Sequence, residues 1–264
     1  MKIYNFSSKR KDFAKAETLI VSIPKSGRTW LRYLLASYFT KLEGVPFHFT
    51  AESTSVSFPY FTHDLWEHKT TNHPWDKLRG KHLIPEPIRS DKPKILLSRD
   101  LRDVSVSMFF QLVKREQLFE GEMSEMLRDK IFGIEAIVNI INEWNHSWSG
   151  RPNFMTWSYE EAKEDPEKAF GEVVKFLDKR PLNVGVLREA IAESDFSKMK
   201  KAEANNAVQN KALTPGDVKD AESFKVRRGK VHGFTDYLSS QDVEFIEQAC
   251  QNLPQEWRPL FIQN

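Results

Sequence analysis

Residues 24–30, PKSGRTW, are the first side chains along the sequence that could do chemistry on a bound anion. An apolar run at 19–23 precedes them, and apolar residues recur at helical spacing from Trp30 to Phe39. A strand, a glycine-containing loop and a helix N-terminus form a typical phosphate site, because the first N–H groups of a helix have no partner within it. Lys25 and the two hydroxyl groups could add further hydrogen bonds. We therefore predict that this loop holds the 5′ end of an anionic nucleotide.

The order of residues in this loop differs from that of the common magnesium-nucleotide loop, which reads Gly, four residues, then Gly-Lys-Ser/Thr. Here Lys25 comes before the only glycine of the loop, Gly27. A magnesium-nucleotide site is therefore less expected. Taken alone, the loop could also be an ordinary basic turn between a strand and a helix.

A second basic segment, residues 99–107 (RDLRDVSVS), directly follows another apolar run at 94–98. Arg99 offers a planar fork of donors that suits a phosphate group. Ser107 lies about two turns into the helix that follows, on a face that could reach the same group. Alone, however, the segment could be a capped helix, since Asp100 and Asp103 stand near its N-terminus.

A third basic segment, residues 224–233 (FKVRRGKVHG), carries four cations around Gly229. A charge run of this kind is often only a solvated surface. This one follows a long polar stretch, and we expect a mobile loop at 205–226 that brings the segment over a ligand as a lid.

The elements that must position these segments alternate between strand and helix. Apolar runs predict strands at 19–23, 94–98 and 153–157, with a weaker one at 58–62. Helical patterns are found at 104–112, 131–148, 166–177, 184–192, 196–204 and 240–253, whereas 66–87 is expected to be a loop. This alternation predicts an α/β fold with a mostly parallel sheet between helices, which binds ligands beyond the carboxyl ends of its strands. No linker or repeat is evident, so we expect residues 1–264 to form a single domain.

Composition narrows the classes of function. The 264 residues are 40% hydrophobic, enough for a full core, and the net charge of +2 argues against a general nucleic-acid binder. The single cysteine, Cys250, allows no internal disulfide and no multi-cysteine metal site, and is expected to pack in the core. No apolar run approaches the ~18 residues of a membrane span, and a cytoplasmic protein is expected.

Taken together and in this order, the three segments resemble those of the sulfotransferases that use 3′-phosphoadenosine 5′-phosphosulfate (PAPS). PKSGRTW resembles their 5′-phosphosulfate loop, RDLRDVSVS their 3′-phosphate segment and VRRGKVHG their C-terminal basic segment. Weaker matches are YEEAKEDP at 159–166 and SDFSKMKK at 194–201. The resemblance spans residues 19 to about 233, is closest in style to bacterial members, and implies a P-loop-NTPase-like fold of three layers.

The resemblance implies that one nucleotide is bound by many of these side chains, with Trp30 and Phe196 on either side of its adenine. The residues implied are Lys25, Ser26, Gly27, Arg28 and Thr29 at the 5′-phosphosulfate; Arg99, Ser107, Arg227, Arg228 and Gly229 at the 3′-phosphate; and Trp30, Tyr159, Ser194 and Phe196 at the adenine. Arg28 stands where the family commonly has threonine, so its role stays open.

Two residues are implied to be catalytic. Lys25 would stabilise the charge that grows on the leaving phosphate, and His63 would take the proton of the acceptor. A strand pattern leads into His63, but His82, in the sequence KHL, is the alternative base. Asp64 could orient an imidazole. No metal is expected.

The acceptor cannot be identified from the sequence. We expect a hydroxyl, or in second place an amine, of a small molecule or glycan. Its pocket is expected to be built from residues 45–57, the histidine-rich loop at 66–87 and residues 109–122. The alternatives are a kinase or NTPase, which would need the magnesium-type loop, and a non-catalytic nucleotide-binding module. The oligomeric state stays open.

Overall fold

A computed structural model describes residues 8–206, 208 and 213–263 of the chain. Its described part contains one sheet of four parallel strands, which are β1 (Leu19–Ser22), β2 (Tyr60–Thr62), β3 (Lys94–Ser98) and β4 (Phe154–Ser158). The strands lie in the order β2-β1-β3-β4. Leu19 pairs with both Tyr60 and Lys94, and Lys94 pairs with Phe154, so the four strands start level with one another. Their carboxyl ends therefore meet at one edge, and the prediction of a mostly parallel sheet is confirmed.

Helices cover both faces of this sheet. Because side chains alternate along a strand, Leu19, Val21 and Leu96 face one side. That side is covered by α6 (Leu101–Phe110), α8 (Ile134–Trp148) and α13 (Ser240–Cys250). Ile20 and Ile95 face the other side, which is covered by α2 (Arg28–Leu42), α10 (Pro166–Leu177) and α11 (Val184–Glu193). The predicted three-layer α/β fold is confirmed.

The sequence pattern of α8 explains why it packs on the sheet. Its buried residues Ile134, Ile137, Ile141, Trp144 and Trp148 recur every three or four positions and form one apolar stripe. Burying each such side chain stabilises the fold by about 1.5–3 kcal/mol. The helix thus provides one wall of the core against which the strands are fixed.

The remaining helices are short, and some were not predicted. They are α1 (Ser8–Lys15), α3 (Leu65–Thr70), α4 (Pro74–Leu78), α5 (Glu86–Asp91), α7 (Met123–Leu127), α9 (Tyr159–Glu164) and α12 (Phe196–Ala204). The expectation of a loop at 66–87 is wrong, because α3, α4 and the first residues of α5 lie there. Trp66 is buried against Phe132, and Pro74 starts α4, where its missing N–H costs nothing.

Two other segments bear on the site. The helix predicted to end near 112 continues as a π-helical turn, Gln111–Glu116, directly after α6. Of the loop predicted at 205–226, residues 207 and 209–212 lie outside the described residues, so its mobility stays a prediction. In the part of the chain that the structure describes, no helix is long and apolar enough to cross a membrane.

Candidate active site

A cavity of about 610 Å³ lies at the carboxyl edge of the sheet. Each strand contributes a residue that follows it closely: Lys25 after β1, His63 after β2, Arg99 after β3 and Tyr159 after β4. Every other site residue predicted from the sequence also lines this cavity except Ser26, whose side chain is buried. The parallel sheet thus brings together segments that lie far apart in the sequence.

The loop after β1 has a constrained backbone. Lys25 and Gly27 both adopt left-handed conformations, with φ of 76° and 86°. A Cβ on Gly27 would lie 2.9 Å from the Tyr159 ring and 3.2 Å from the Trp157 ring, so only glycine fits there. No side chain caps the start of α2 at Gly27, which leaves its first N–H groups available to an anion.

The ammonium of Lys25 is enclosed by protein and open to the cavity. Its Nζ donates a hydrogen bond to Oε1 of Gln111 at 3.3 Å. Burial lowers the pKa of Lys25 well below its usual value, and the charges of neighbouring cations lower it further; in order of effect these are Lys225, Arg115, Arg99 and Arg227. The site therefore concentrates positive charge that a bound polyanion would neutralise.

Arg99 connects the loop after β1 to the C-terminal basic segment. Its Nη1 donates to the carbonyl oxygen of Lys25 at 3.0 Å, and its Nη2 donates to the carbonyl oxygen of Lys230 at 3.3 Å. The guanidinium lies 4.3 Å from the centroid of the Tyr159 ring. Its Nε is buried and has no hydrogen-bond partner among the described residues. One donor of this buried arginine is thus left for a ligand.

The C-terminal basic segment, residues 224–233, is fixed at both ends by buried carboxylates. Glu203 on α12 accepts the N–H groups of Lys225 and Val226, at 2.6 and 2.8 Å. Asp103 on α6 accepts the N–H of Phe234 at 2.8 Å. Between them Gly229 lies so close to Phe196 that a Cβ would come within 2.4 Å of its ring. This contact holds Phe196 against the segment at the cavity wall.

Two arginines of this segment already have partners. Arg227 donates to Glu222 at 2.7 Å and to the hydroxyl of Tyr237 at 2.9 Å. Arg228 forms an ion pair of 2.7 Å with Asp236. Both line the cavity, so a phosphate bound there would have to share these guanidinium groups with acidic side chains or displace those side chains.

The residues predicted at the adenine also lie on the cavity wall. The Trp30 ring meets the rings of Tyr159 and Phe170 edge-on, with centroids 5.6 and 4.9 Å apart. The hydroxyl of Ser194 donates to the carbonyl oxygen of Ile191 at 3.1 Å. The proposed stacking of a base between Trp30 and Phe196 stays a prediction.

His63 is placed by the register of β1 and β2. Val21 pairs with Thr62, which brings the next residue of each strand together. Nδ1 of His63 lies 2.8 Å from the carbonyl oxygen of Ser22, so this nitrogen carries the proton and donates it. Nε2 is then the unprotonated nitrogen. Burial, and next the charge of Arg28, lower the pKa of His63 well below its usual value.

The structure separates His63 from the alternatives. His82 does not line the cavity, and its Nδ1 lies 3.2 Å from Oε2 of Glu67. Asp64, which could have oriented an imidazole, instead accepts hydrogen bonds from Arg89 and from Nε1 of Trp144 at 2.9 Å. That carboxylate is fully buried and holds helices together behind the site.

Arg28 lies on the side of the cavity nearest His63. Its guanidinium is 4.0 Å from Oε1 of Glu67 and loses part of its solvent on burial, which lowers its pKa. This position could not be read from the sequence, because Glu67 lies in a region expected to be a loop. Whether Arg28 also contacts the nucleotide stays a prediction.

Sequence reasoning gave no individual role to several residues of the cavity wall, although Glu67 and Gln111 lie in segments expected to build the acceptor pocket. Lys225 lines it beside the predicted arginines, and Glu67 and Gln111 face it from α3 and from the π-helical turn. None of the described residues 45–57, expected in the acceptor pocket, lines this cavity. Cys250 is buried, and burial raises its pKa to about 12, as expected of a core residue. No group of acidic, histidine or cysteine side chains that could hold a metal occurs within residues 8–206, 208 and 213–263.

Comparisons with known proteins agree with this fold. Residues 15–258 match the family model described as "Sulfotransferase domain". Rat sulfotransferase 2B1 is 28% identical over 87% of this chain, which spans 66% of that protein. Sulfotransferase 2A1 of Macaca fascicularis is 24% identical over 92% of this chain and 87% of its own length.

Solved structures share the fold at lower sequence identity. Mouse sulfotransferase SULT7A1, in complex with PAP, is 19% identical, with a TM-score of 0.63 over 93% of this chain and 88% of that one. Retinol dehydratase, in complex with androsterone and inactive cofactor PAP, is 16% identical, with a TM-score of 0.63 over 94% and 85% of the two chains. The match to the family model covers nearly the whole chain, and it confirms the resemblance seen in the motifs: the protein belongs to the sulfotransferase domain family.

Proposed function

We propose that the protein transfers a sulfuryl group from PAPS to a hydroxyl of a small-molecule acceptor. The observation that carries this proposal is the meeting of Lys25, His63, Arg99 and Tyr159 at the ends of four parallel strands around one cavity. A lysine for the leaving phosphate, a neutral histidine for the acceptor proton and an arginine for a second phosphate are the groups that this reaction needs.

The cavity residues fit a nucleotide with phosphates at both ends of its ribose. Nε of Arg99 and Oγ of Ser26 are buried without hydrogen-bond partners among the described residues, and the start of α2 lacks a side-chain cap. Burial first, and then the charges of neighbouring cations, lower the pKa of Lys25, and a bound anion would offset both effects. PAP is present in the structure of mouse sulfotransferase SULT7A1, which supports the same ligand class here.

The chemistry follows from these positions. A lone pair of the acceptor oxygen attacks the sulfur, a new S–O bond forms, and the bond from sulfur to the phosphate oxygen breaks in line with it. The acceptor proton passes to Nε2 of His63, since Nδ1 is held by the carbonyl oxygen of Ser22. Lys25 stabilises the negative charge that stays on the departing phosphate.

The apolar part of the cavity wall supports an acceptor with an apolar body. Trp66, Met108, Leu112, Leu118 and Phe132 line the cavity, and the polar residues Glu67 and Thr70 line it as well. Apolar walls with a few polar groups are typical of small-molecule sites.

Similarity to cytosolic sulfotransferase 13 of Arabidopsis thaliana supports the expectation of a cytoplasmic protein. We also propose that residues 1–264 form a single domain.

Ligand-induced thermal stabilisation tests the nucleotide assignment. The protein is heated with 3′,5′-ADP, with 5′-AMP and with Mg-ATP, each at the same concentration. A ligand present at roughly a hundred times its Kd adds about 2.7 kcal/mol of stability. We expect 3′,5′-ADP to stabilise most, because only it engages Arg99 through a 3′-phosphate. Stabilisation by Mg-ATP without any by 3′,5′-ADP would favour a kinase or NTPase and reject the proposal.

A further inference from the structure

We propose that Lys225 is a further catalytic residue, whose ammonium binds the sulfonate oxygens of the donor between Lys25 and His63. This inference rests on the proposed sulfuryl transfer. It concerns a residue that sequence reasoning grouped with three other cations of the C-terminal basic segment and did not single out.

Its position is the first reason. Lys225 lines the cavity. Among charged neighbours it has the largest effect on Lys25, and it also acts on His63. A cation on the cavity wall that acts on both groups lies near the space between them. In an in-line transfer that space holds the sulfur, since Lys25 contacts the leaving oxygen and His63 the attacking one.

The lack of a partner is the second reason. In the same segment Arg227 pairs with Glu222, and both Arg228 and Lys230 pair with Asp236. The ammonium of Lys225 forms no hydrogen bond and no ion pair with the described residues. Only its backbone N–H is bonded, to Glu203, whose carboxylate pairs with Arg115. An enclosed cation without a partner destabilises the free protein. Such an arrangement is typical of a side chain that binds an anionic ligand.

The charged groups around Lys225 agree with this role. Burial lowers its pKa to about 8; Arg28 and Arg115 lower the pKa as well, while Glu116 and Glu203 raise it only in part. An anion bound in the cavity would reverse this imbalance. In the proposed reaction the sulfonate is the part of the donor that lies next to His63, because its sulfur receives the acceptor oxygen.

A hydrogen bond ties the backbone of Lys225 to α12. The fully buried Glu203 accepts the N–H of Lys225 at 2.6 Å and is itself 3.5 Å from the Arg115 guanidinium. Lys225 is therefore anchored to α12, and its side chain reaches into the cavity from a defined point.

The test compares two ligands that differ only in the sulfonate. Dissociation constants of 3′,5′-ADP and of PAPS without acceptor are measured for the wild type, K225M and K219M. Lys219 is an exposed lysine of the same region and serves as the matched control. A lost charge-assisted hydrogen bond corresponds to about a ten- to hundredfold change in Kd. We expect K225M to lose about that much affinity for PAPS while its Kd for 3′,5′-ADP stays within about twofold.

The outcomes separate this inference from the proposed function. If K225M binds PAPS as well as K219M does, the role of Lys225 is refuted although the wild type still binds both ligands. If K225M loses both ligands equally, Lys225 supports the phosphates or the fold, which also overturns the inference. If the wild type binds neither ligand, the proposed function itself fails. Retained binding of 3′,5′-ADP shows that K225M is folded, and partial recovery of PAPS binding in K225R would support the need for a cation.

Discussion

Replacing His63 by asparagine tests the role of the residue at the end of β2. The asparagine amide can still donate to the carbonyl oxygen of Ser22, which His63 reaches over 2.8 Å, so the backbone at this point should be kept. The variant lacks Nε2, the nitrogen that would take the proton from the substrate hydroxyl. General-base catalysis contributes about 10²–10⁴ in rate. At 1.36 kcal/mol for each factor of ten, the barrier should rise by about 2.7–5.4 kcal/mol.

The pH dependence provides a second readout of the same group. Only neutral His63 can act as a base, and burial together with Arg28 lowers its pKa well below the usual value of 6.5. The base is therefore fully neutral at pH 7, and activity should fall only as the pH drops through this lowered pKa. In kcat/KM, which reports the free enzyme, we expect the acid limb to lie below pH 6.5. Bound anions raise the pKa, so the limb in kcat should lie at higher pH.

The assay measures formation of 3′,5′-ADP from PAPS in the presence of an acceptor found by screening. His82→Asn is the matched control, because His82 does not line the cavity, whereas its partner Glu67 does. We expect H63N to lose turnover and keep its affinity for 3′,5′-ADP, and H82N to behave as the wild type does. Normal turnover in H63N, or an acid limb above pH 6.5 in kcat/KM, would refute the assignment of His63.

Three further predictions follow from the same cavity. Lys25→Met should slow transfer by about 10²–10³-fold, because the charge on the leaving phosphate is no longer stabilised. The free protein should nevertheless become more stable in urea, because a buried charge without a counter-ion is removed. Equal or lower stability would contradict this reasoning. Binding of 3′,5′-ADP near pH 9 should take up protons, because the anion raises the lowered pKa of Lys25. A calorimetric enthalpy that is the same in buffers of different ionisation enthalpy would argue against it. Gly27→Ala should lower the free energy of unfolding in urea by more than the roughly 1–2 kcal/mol expected for Gly44→Ala. Both glycines have positive φ, but only a Cβ at Gly27 would clash with Tyr159. Equal losses would show that the clash is relieved.

The sequence predicted the features that depend on local pattern. The strand, loop and helix around PKSGRTW, and the same arrangement at Arg99, follow from apolar periodicity and from the needs of an anion. Parallel strands then predict that both loops meet at one edge of a sheet. The cavity at that edge agrees with this reasoning.

The remaining features depend on contacts between distant segments. His63 and His82 were both candidate bases, and the register of β1 with β2 brings His63 to Ser22 at the cavity. The short helices at 65–91 depend on buried contacts such as that of Trp66, which no periodicity reveals in so few residues.

Charge pairing is also a property of the folded chain. Lys225 differs from the other cations of its segment only in what the fold places beside it. Arg227 meets Glu222 and Arg228 meets Asp236, while Lys225 faces the cavity. A run of basic residues in a sequence does not distinguish these cases.

Transfer of the sulfuryl group itself tests the central claim most directly. PAPS with radioactive sulfur in its sulfonate is incubated with the protein and a metabolite extract, and labelled products and 3′,5′-ADP are quantified together. We predict that the wild type forms a labelled product and 3′,5′-ADP in equal amounts, and that K25M and H63N form far less of both. No labelled product from the wild type, together with transfer of phosphate from Mg-ATP into the same extract, would contradict the account.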